Sequence, residues 1–164
     1  MAQVFAPLFP YVLTAILAGM LLRLSWIDAK TLRLPDSHTF PLIVMGLGLA
    51  LLFPEPTFQA RMIGATAGFL SLGLVGEIYF RRTGAEGLGL GDAKLFAAAG
   101  AWLGWQALPI VLLIASVTGL VFVATRRRKD RTPAVPFGPM LAGGLFLCWV
   151  GQMFATANWP FRHL

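Results

Sequence analysis

Charge is what this sequence has least of. Of its 164 residues, 12% are Asp, Glu, Lys or Arg, half of the roughly 25% usual in soluble domains. The few charges come in clusters separated by long neutral stretches, the longest running from Leu95 to Thr125. That pattern excludes an ordinary water-soluble globule and points to a polytopic membrane protein. Cysteine is nearly absent too. Cys148 stands alone inside an apolar run, which excludes an internal disulfide and a Cys-x-x-Cys zinc site and reads as a small buried apolar residue. No cluster of metal ligands takes its place, so neither a metal nor a cofactor is expected. Residues 1–22 contain no Lys or Arg. They lack the basic n-region of a cleavable signal peptide and read as a membrane span. No basic segment is interleaved with aromatics, which argues against nucleic acid as a partner. The formal net charge of +6 reads instead as loop charge on the cytoplasmic side.

What is present is apolar residues, 57% of the chain, and they divide into six segments. The first runs from about Val4 to Leu22, with Arg23, Asp28, Lys30 and Arg33 in a polar loop behind it. Pro35 ends that loop, and Asp36, Ser37 or Thr39 is placed to cap the next segment, Phe40 to about Phe53. Pro54-Glu55-Pro56 makes a tight turn. The third segment, about Met62 to Phe80, carries Gly64, Gly68, Gly73 and Gly76, small residues that let membrane helices pack closely. Glu77, near its end, has Arg81 four residues on, at helical pairing distance. The neutral run beyond Lys94 is too long for one span of about 20 residues. Gly104, Trp105, Gln106 and Pro109 break it into Lys94 to about Trp105 and about Leu108 to Thr125. A sixth segment covers about Phe137 to Ala155. The expectation is all-α: a single six-helix membrane domain over 1–164.

Eleven of the thirteen basic residues fall in the loops after segments one, three and five, leaving Arg61 and Arg162 on the other side. The positive-inside bias then puts those three loops in the cytoplasm and both termini in the periplasm. The run Arg126–Arg131 reads as a topology and headgroup determinant.

On this topology two acids meet at one membrane face. Asp28 follows segment one. Asp92 precedes segment four and closes the stretch Glu86-Gly87-Leu88-Gly89-Leu90-Gly91-Asp92. Two carboxylates near a low-dielectric boundary repel, so one pKa rises and the pair shares a proton. An aspartic-protease dyad works this way, one carboxylate activating water while the protonated one hydrogen-bonds the substrate carbonyl. The glycines before Asp92 leave room for an extended peptide to approach. No nucleophile–base pair competes: His38 is the one histidine near these loops, and no motif surrounds Ser25, Ser37, Ser71 or Ser116. Spacing alone leaves a second reading open, two solvated loop acids. A third is a small transporter or channel component using Asp28, Asp92 and Glu77 as an ion path.

Three stretches carry a family resemblance. Asp28-Ala29-Lys30-Thr31-Leu32-Arg33-Leu34-Pro35-Asp36 resembles the first active-site segment of the type IV prepilin leader peptidases. Glu86 through Leu95, with Ala101-Trp102-Leu103-Gly104-Trp105-Gln106 behind it, resembles the second, which carries the Gly-x-Gly-Asp motif. Val135-Pro136-Phe137-Gly138-Pro139 resembles the Pro-Phe-Gly-Pro stretch that opens that family's last helix. The resemblance implies an integral-membrane aspartic endopeptidase of the bacterial inner membrane. It would remove the short basic leader from prepilins or pilin-like secretion subunits at the cytoplasmic face, alongside pilus or secretion assembly machinery. By position, Asp28 and Asp92 would be the catalytic pair, and Gly89 and Gly91 would belong to the motif presenting Asp92. Many members carry an extra segment with paired Cys-x-x-Cys motifs, associated with N-methylation. With Cys148 alone, this chain looks like the short, peptidase-only form serving Flp-type pili, and no methyltransferase role is expected. Of the remaining motif residues, Lys94 reads as neutralising the dyad region or snorkelling to the interface. Glu86 and Asp36 read as greeting a basic leader, or as a loop acid and a cap. Pro136 and Pro139 read as starting the last helix.

Overall fold

From Leu95 to Gly104 every residue is buried. A helix that is apolar all round has no face for solvent or lipid and must be sheathed by its neighbours; the fold is built around this one. In the computed structural model, which describes residues 9–84, 89–125 and 136–155, six α-helices form among the described residues. They are α1 Phe9–Thr31, α2 Asp36–Gly48, α3 Phe58–Thr83, α4 Leu90–Leu103, α5 Leu108–Thr125 and α6 Gly138–Ala155, with 3₁₀ turns at Leu49–Leu51 and Trp105–Ala107. No strand occurs among them. Helix α4 is the sheathed one, packed by α2, α3, α5 and α6. Among the described residues, three stretches are long and apolar enough to cross a membrane, Phe9–Thr31, Phe58–Thr83 and Trp105–Thr125, while the α2 and α6 regions are shorter apolar helices.

Glycine sets how close α3 and α4 come. A methyl group on Gly68 would sit 2.7 Å from the Phe96 carbonyl oxygen, and Gly64 and Gly100 face each other with no room for a side chain on either. The small-residue spacing in the third segment thus makes the close contact expected of it. Trp102, fully buried, stacks edge-on against Trp149 of α6 with ring centroids 5.2 Å apart, and its indole N–H donates to the Leu42 carbonyl of α2 at 2.8 Å. The break in the neutral run falls at Gly104, whose φ of +80° suits glycine. Helix α5 then starts at Leu108, as the sequence indicates.

Other boundaries differ. Helix α1 runs on to Thr31, so Arg23, Asp28 and Lys30 lie on it and not in a loop; Leu13, Leu17, Leu21, Leu24 and Asp28 form one buried stripe that holds it together. Helix α2 begins at Asp36, and Pro35 is its N-cap with no side-chain cap bond, so none of Asp36, Ser37 and Thr39 plays that part. Helix α4 begins at Leu90, which puts Asp92 in its first turn. The larger correction is Arg61, expected as an outside loop charge. It is fully buried, and it donates to the carbonyls of Pro56 (2.9 Å), Gly46 (3.1 Å), Ala101 (3.1 Å) and Trp102 (2.8 Å). The last turns of α2 and α4 present carbonyls that no helix bond satisfies, and one guanidinium serves both.

Candidate active site

The two aspartates reach a common cavity from different helices. Asp28 continues the apolar stripe of α1 and is 5% exposed. One carboxylate oxygen, Oδ2, accepts the backbone N–H of Gly138 at 3.0 Å. Gly138 is the first residue of α6, so a carboxylate sits where that helix offers free N–H groups and the positive end of its dipole. A Cβ at position 138 would lie 2.6 Å from the same Asp28 oxygen, so only glycine admits the contact.

Asp92 is held by its own helix. Gly89 caps α4 in extended geometry, its carbonyl takes the Asp92 N–H at 3.1 Å, and its N–H bonds the Asp92 carboxylate. The carboxylate reaching back to the N-cap N–H is one half of a capping box; the other half is missing because Gly89 has no side chain. Burial pushes the Asp92 carboxyl up to about 6, the Asp28 charge adds to the rise, and the Gly89 bond opposes it. Each aspartate is thus anchored by a glycine N–H at a helix start, and they lie near enough for one charge to act on the other.

The cavity has a volume of about 560 Å³. Asp28 and Asp92 line it together with Leu32, Arg33, Leu34 and Asp36 from the end of α1 to the start of α2, Leu72, Gly73, Gly76, Glu77 and Phe80 of α3, and Gly89, Leu90, Gly91 and Lys94. No Ser, Cys or His is among these residues; the ionisable groups of the described lining are the carboxylates of Asp28, Asp36, Glu77 and Asp92 and the cations Arg33 and Lys94.

The other residues singled out by sequence fall as follows. Gly91 does permit a close approach, but by the protein's own Leu34: a methyl group on Gly91 would lie 2.7 Å from the Leu34 Cβ. A methyl group on Gly89 would make only ordinary contacts, with Gly91 N at 3.8 Å and Asp92 Oδ2 at 3.9 Å. Lys94 pairs with Asp36, its Nζ 2.5 Å from Asp36 Oδ1 and 5.6 Å from the Phe40 ring centroid. Glu77 pairs with Arg81 at 2.6 Å, both side chains exposed, as the i,i+4 spacing indicates. Glu86 lies outside the described residues, as do Val135 and the run Arg126–Arg131. Gly138 was missed as a site residue. Its motif was visible as Pro136-Phe137-Gly138-Pro139, yet nothing local shows that its N–H serves an aspartate 110 positions earlier.

The pattern of the type IV leader peptidase family matches residues 15–124. Among curated proteins, the chain is 47% identical over 135 residues to the prepilin leader peptidase/N-methyltransferase of Pectobacterium carotovorum subsp. carotovorum, covering 80% of this chain and 48% of that protein. It is 47% identical over 131 residues to the protein of the same description from Burkholderia pseudomallei (strain 1026b), covering 78% and 42%. With that of Neisseria gonorrhoeae it shares 41% over 151 residues, covering 90% and 52%. The chain spans about half the length of the curated relatives it matches. No solved structure gives a significant match.

Proposed function

This chain belongs to the type IV leader peptidase family, and from that membership we propose that it is a membrane aspartic endopeptidase that removes the leader from prepilins or pilin-like secretion subunits. The observation that carries the proposal is the pair Asp28 and Asp92, presented from α1 and α4 to one cavity with each carboxylate held by a glycine N–H. Asp92, the member pushed up to about 6, carries the shared proton and hydrogen-bonds the scissile carbonyl. Asp28 takes a proton from the attacking water. The tetrahedral intermediate collapses when the leaving amine receives a proton from the pair. An apolar segment entering between the helices displaces water from the cavity and strengthens these interactions.

The distribution of basic residues supports six crossings, both termini outside and the cavity at the cytoplasmic face of the inner membrane, with Asp92 on the turn of α4 that precedes its crossing. A basic leader reaches the aspartates from that side. The proposed activity is confined to the peptidase step: Cys148 is the one cysteine of this sequence, and the paired Cys-x-x-Cys motifs associated with methyl transfer have no counterpart in these residues. Partners on this reading are prepilin substrates, the bilayer and the pilus or secretion assembly machinery.

Co-expression with a prepilin, and separately with a pilin-like subunit, tests the proposal. One of the two precursors is converted to a band shorter by its leader. Precursors left intact by well-expressed protein overturn it.

A second test falls on the α6 contact. Gly138→Ala forces its methyl group into the Asp28 carboxylate, so either the side chain rotates away or α6 shifts. Cleavage falls by about 10²-fold, the usual cost of a displacement near 1 Å at reacting groups, while the protein remains in the membrane fraction. Wild-type rates in Gly138→Ala would remove Gly138 from the site.

A further inference from the structure

The two aspartates lie on helices that scarcely touch. Helix α1 packs mainly on α6, whereas α4 packs on α2, α3 and α6. Besides α6, which bonds Asp28 through Gly138 and also packs on α4, the connection that lines the cavity joins the Asp28 end of α1 to the Asp92 end of α4. Helix α1 stops at Leu32, a non-glycine residue with φ 53°, a left-handed conformation that turns the chain sharply and persists only where its surroundings enforce it. The turn sends Leu34 into the space left by the missing side chain of Gly91. Two residues on, Asp36 meets Lys94 at 2.5 Å.

This pair is not spent on stability. The Asp36 side chain is 57% exposed and that of Lys94 22%, and ion pairs of such exposure contribute little to folding. Both residues line the cavity, so the pair sits where geometry matters most. The charges facing it are Asp28 on α1, Arg33 in the connection, Glu77 on α3, already paired with Arg81, and Asp92 on α4.

We infer that the Asp36–Lys94 ion pair is a positioning clamp: it fastens the start of α2, just behind the α1–α2 connection, to the second turn of α4 and so sets the separation of Asp28 and Asp92. Neither residue touches the reacting atoms. The inference rests on the peptidase reading for its kinetic consequence and on the fold alone for its geometric one.

The test uses the full chain in nanodiscs with a prepilin peptide. Asp36→Asn, Lys94→Met and the double variant each lower kcat by about 10- to 100-fold, because misplacement costs rate, and the double variant is no worse than the singles because they act as a unit. KM stays within about twofold, as expected when a transition-state interaction is lost and ground-state binding is kept. The melting temperature moves by no more than about 3 °C, as for a lost surface pair. Asp36→Glu, which keeps the charge, restores most of the rate. A raised KM with kcat retained would assign the pair to leader binding, and a loss of rate matched by a loss of folded protein would make it merely structural; either overturns the clamp. The geometric arm needs no activity. Ala29 and Leu90 are exposed at the two helix ends, and Ala29→Cys with Leu90→Cys in a Cys148→Ser background takes two spin labels. Their distance distribution is narrow in the parent and broadens or shifts with Asp36→Asn. An unchanged distribution overturns the clamp, whereas failure of the parent chain to cleave any precursor overturns the peptidase reading instead.

Discussion

Asp28→Asn and Asp92→Asn each lower leader cleavage by at least about 10³-fold, the scale seen when one member of a catalytic unit is removed. Each variant still inserts and folds. Asparagine keeps the size and an acceptor oxygen, so Gly138 N–H and Gly89 N–H retain partners, but the remaining carboxylate has no partner with which to share and pass on the proton. The double variant is little worse than either single one, since half a dyad does no chemistry. Glu77→Gln, altering an exposed residue already paired to Arg81, costs far less. The measurement is precursor processing over time at matched expression, and robust processing by either asparagine variant defeats the dyad. The Asp92 variant carries a second signature. Folding raises this carboxyl from its ordinary 3.8 to about 6, so the folded state binds the proton more tightly than the unfolded one. The resulting stabilisation is complete below about pH 4 and is lost as pH rises through 6. Above pH 6 the wild type therefore holds a charge it would rather shed, and Asp92→Asn is the more stable protein there, by on the order of 1–2 kcal/mol after solvent screening. The difference closes below pH 4. Thermal melting at pH 8 and pH 4 reads it, and equal melting of the two proteins at both pH values would contradict the assigned proton.

The second large effect is structural. Arg61→Met leaves the four carbonyls of Gly46, Pro56, Ala101 and Trp102 without their donor. Breaking a buried charged network by removing one partner costs about 3–5 kcal/mol, and each orphaned acceptor keeps its desolvation cost. For a chain of this size the melting temperature falls by roughly 10 °C or more. Arg61→Lys recovers only part of this, because a point charge on a flexible stem cannot reproduce a planar fork aimed at three separate stretches of backbone. A shift under about 2 °C for Arg61→Met, measured on the purified protein, would show that the buried guanidinium is dispensable.

How much of this was legible depended on whether a feature's cause was local. The Glu77–Arg81 pair and the start of α5 at Leu108 follow from neighbours within a turn or two, and both were read correctly. So was the use of Gly64 and Gly68 for close packing, because small residues on a membrane helix have few other uses. The extent of α1 was misjudged because polarity was taken to end it, whereas a buried stripe carried it through Asp28. The early start of α4 was hidden by glycines, which weaken helix expectation even where one serves as the cap. Arg61 was misassigned because counting charges by loop assumes solvation, and the carbonyls that replace water come from positions up to 41 residues away. Gly138 and the Asp36–Lys94 pair share that difficulty, since their partners are 110 and 58 positions distant. The transporter reading fares poorly on the same geometry. Its three acids gather at one cavity and do not trace a path through the bundle: Asp28 and Asp92 lie near helix ends, and Glu77 is paired with Arg81.

The edge-on stacking of Trp102 and Trp149 has an optical consequence. The two indoles are 0% and 2% exposed and cross at 81°, held rigidly in a chiral, apolar setting. Coupled transitions of that kind give a strong near-ultraviolet dichroism, and their emission lies to the blue of that from Trp26 and Trp105, which are 65% and 49% exposed. The molecule therefore carries its own chromophore pair at the seam between α4 and α6, the two helices whose first turns hold the aspartates, and no extrinsic dye is needed to watch that seam.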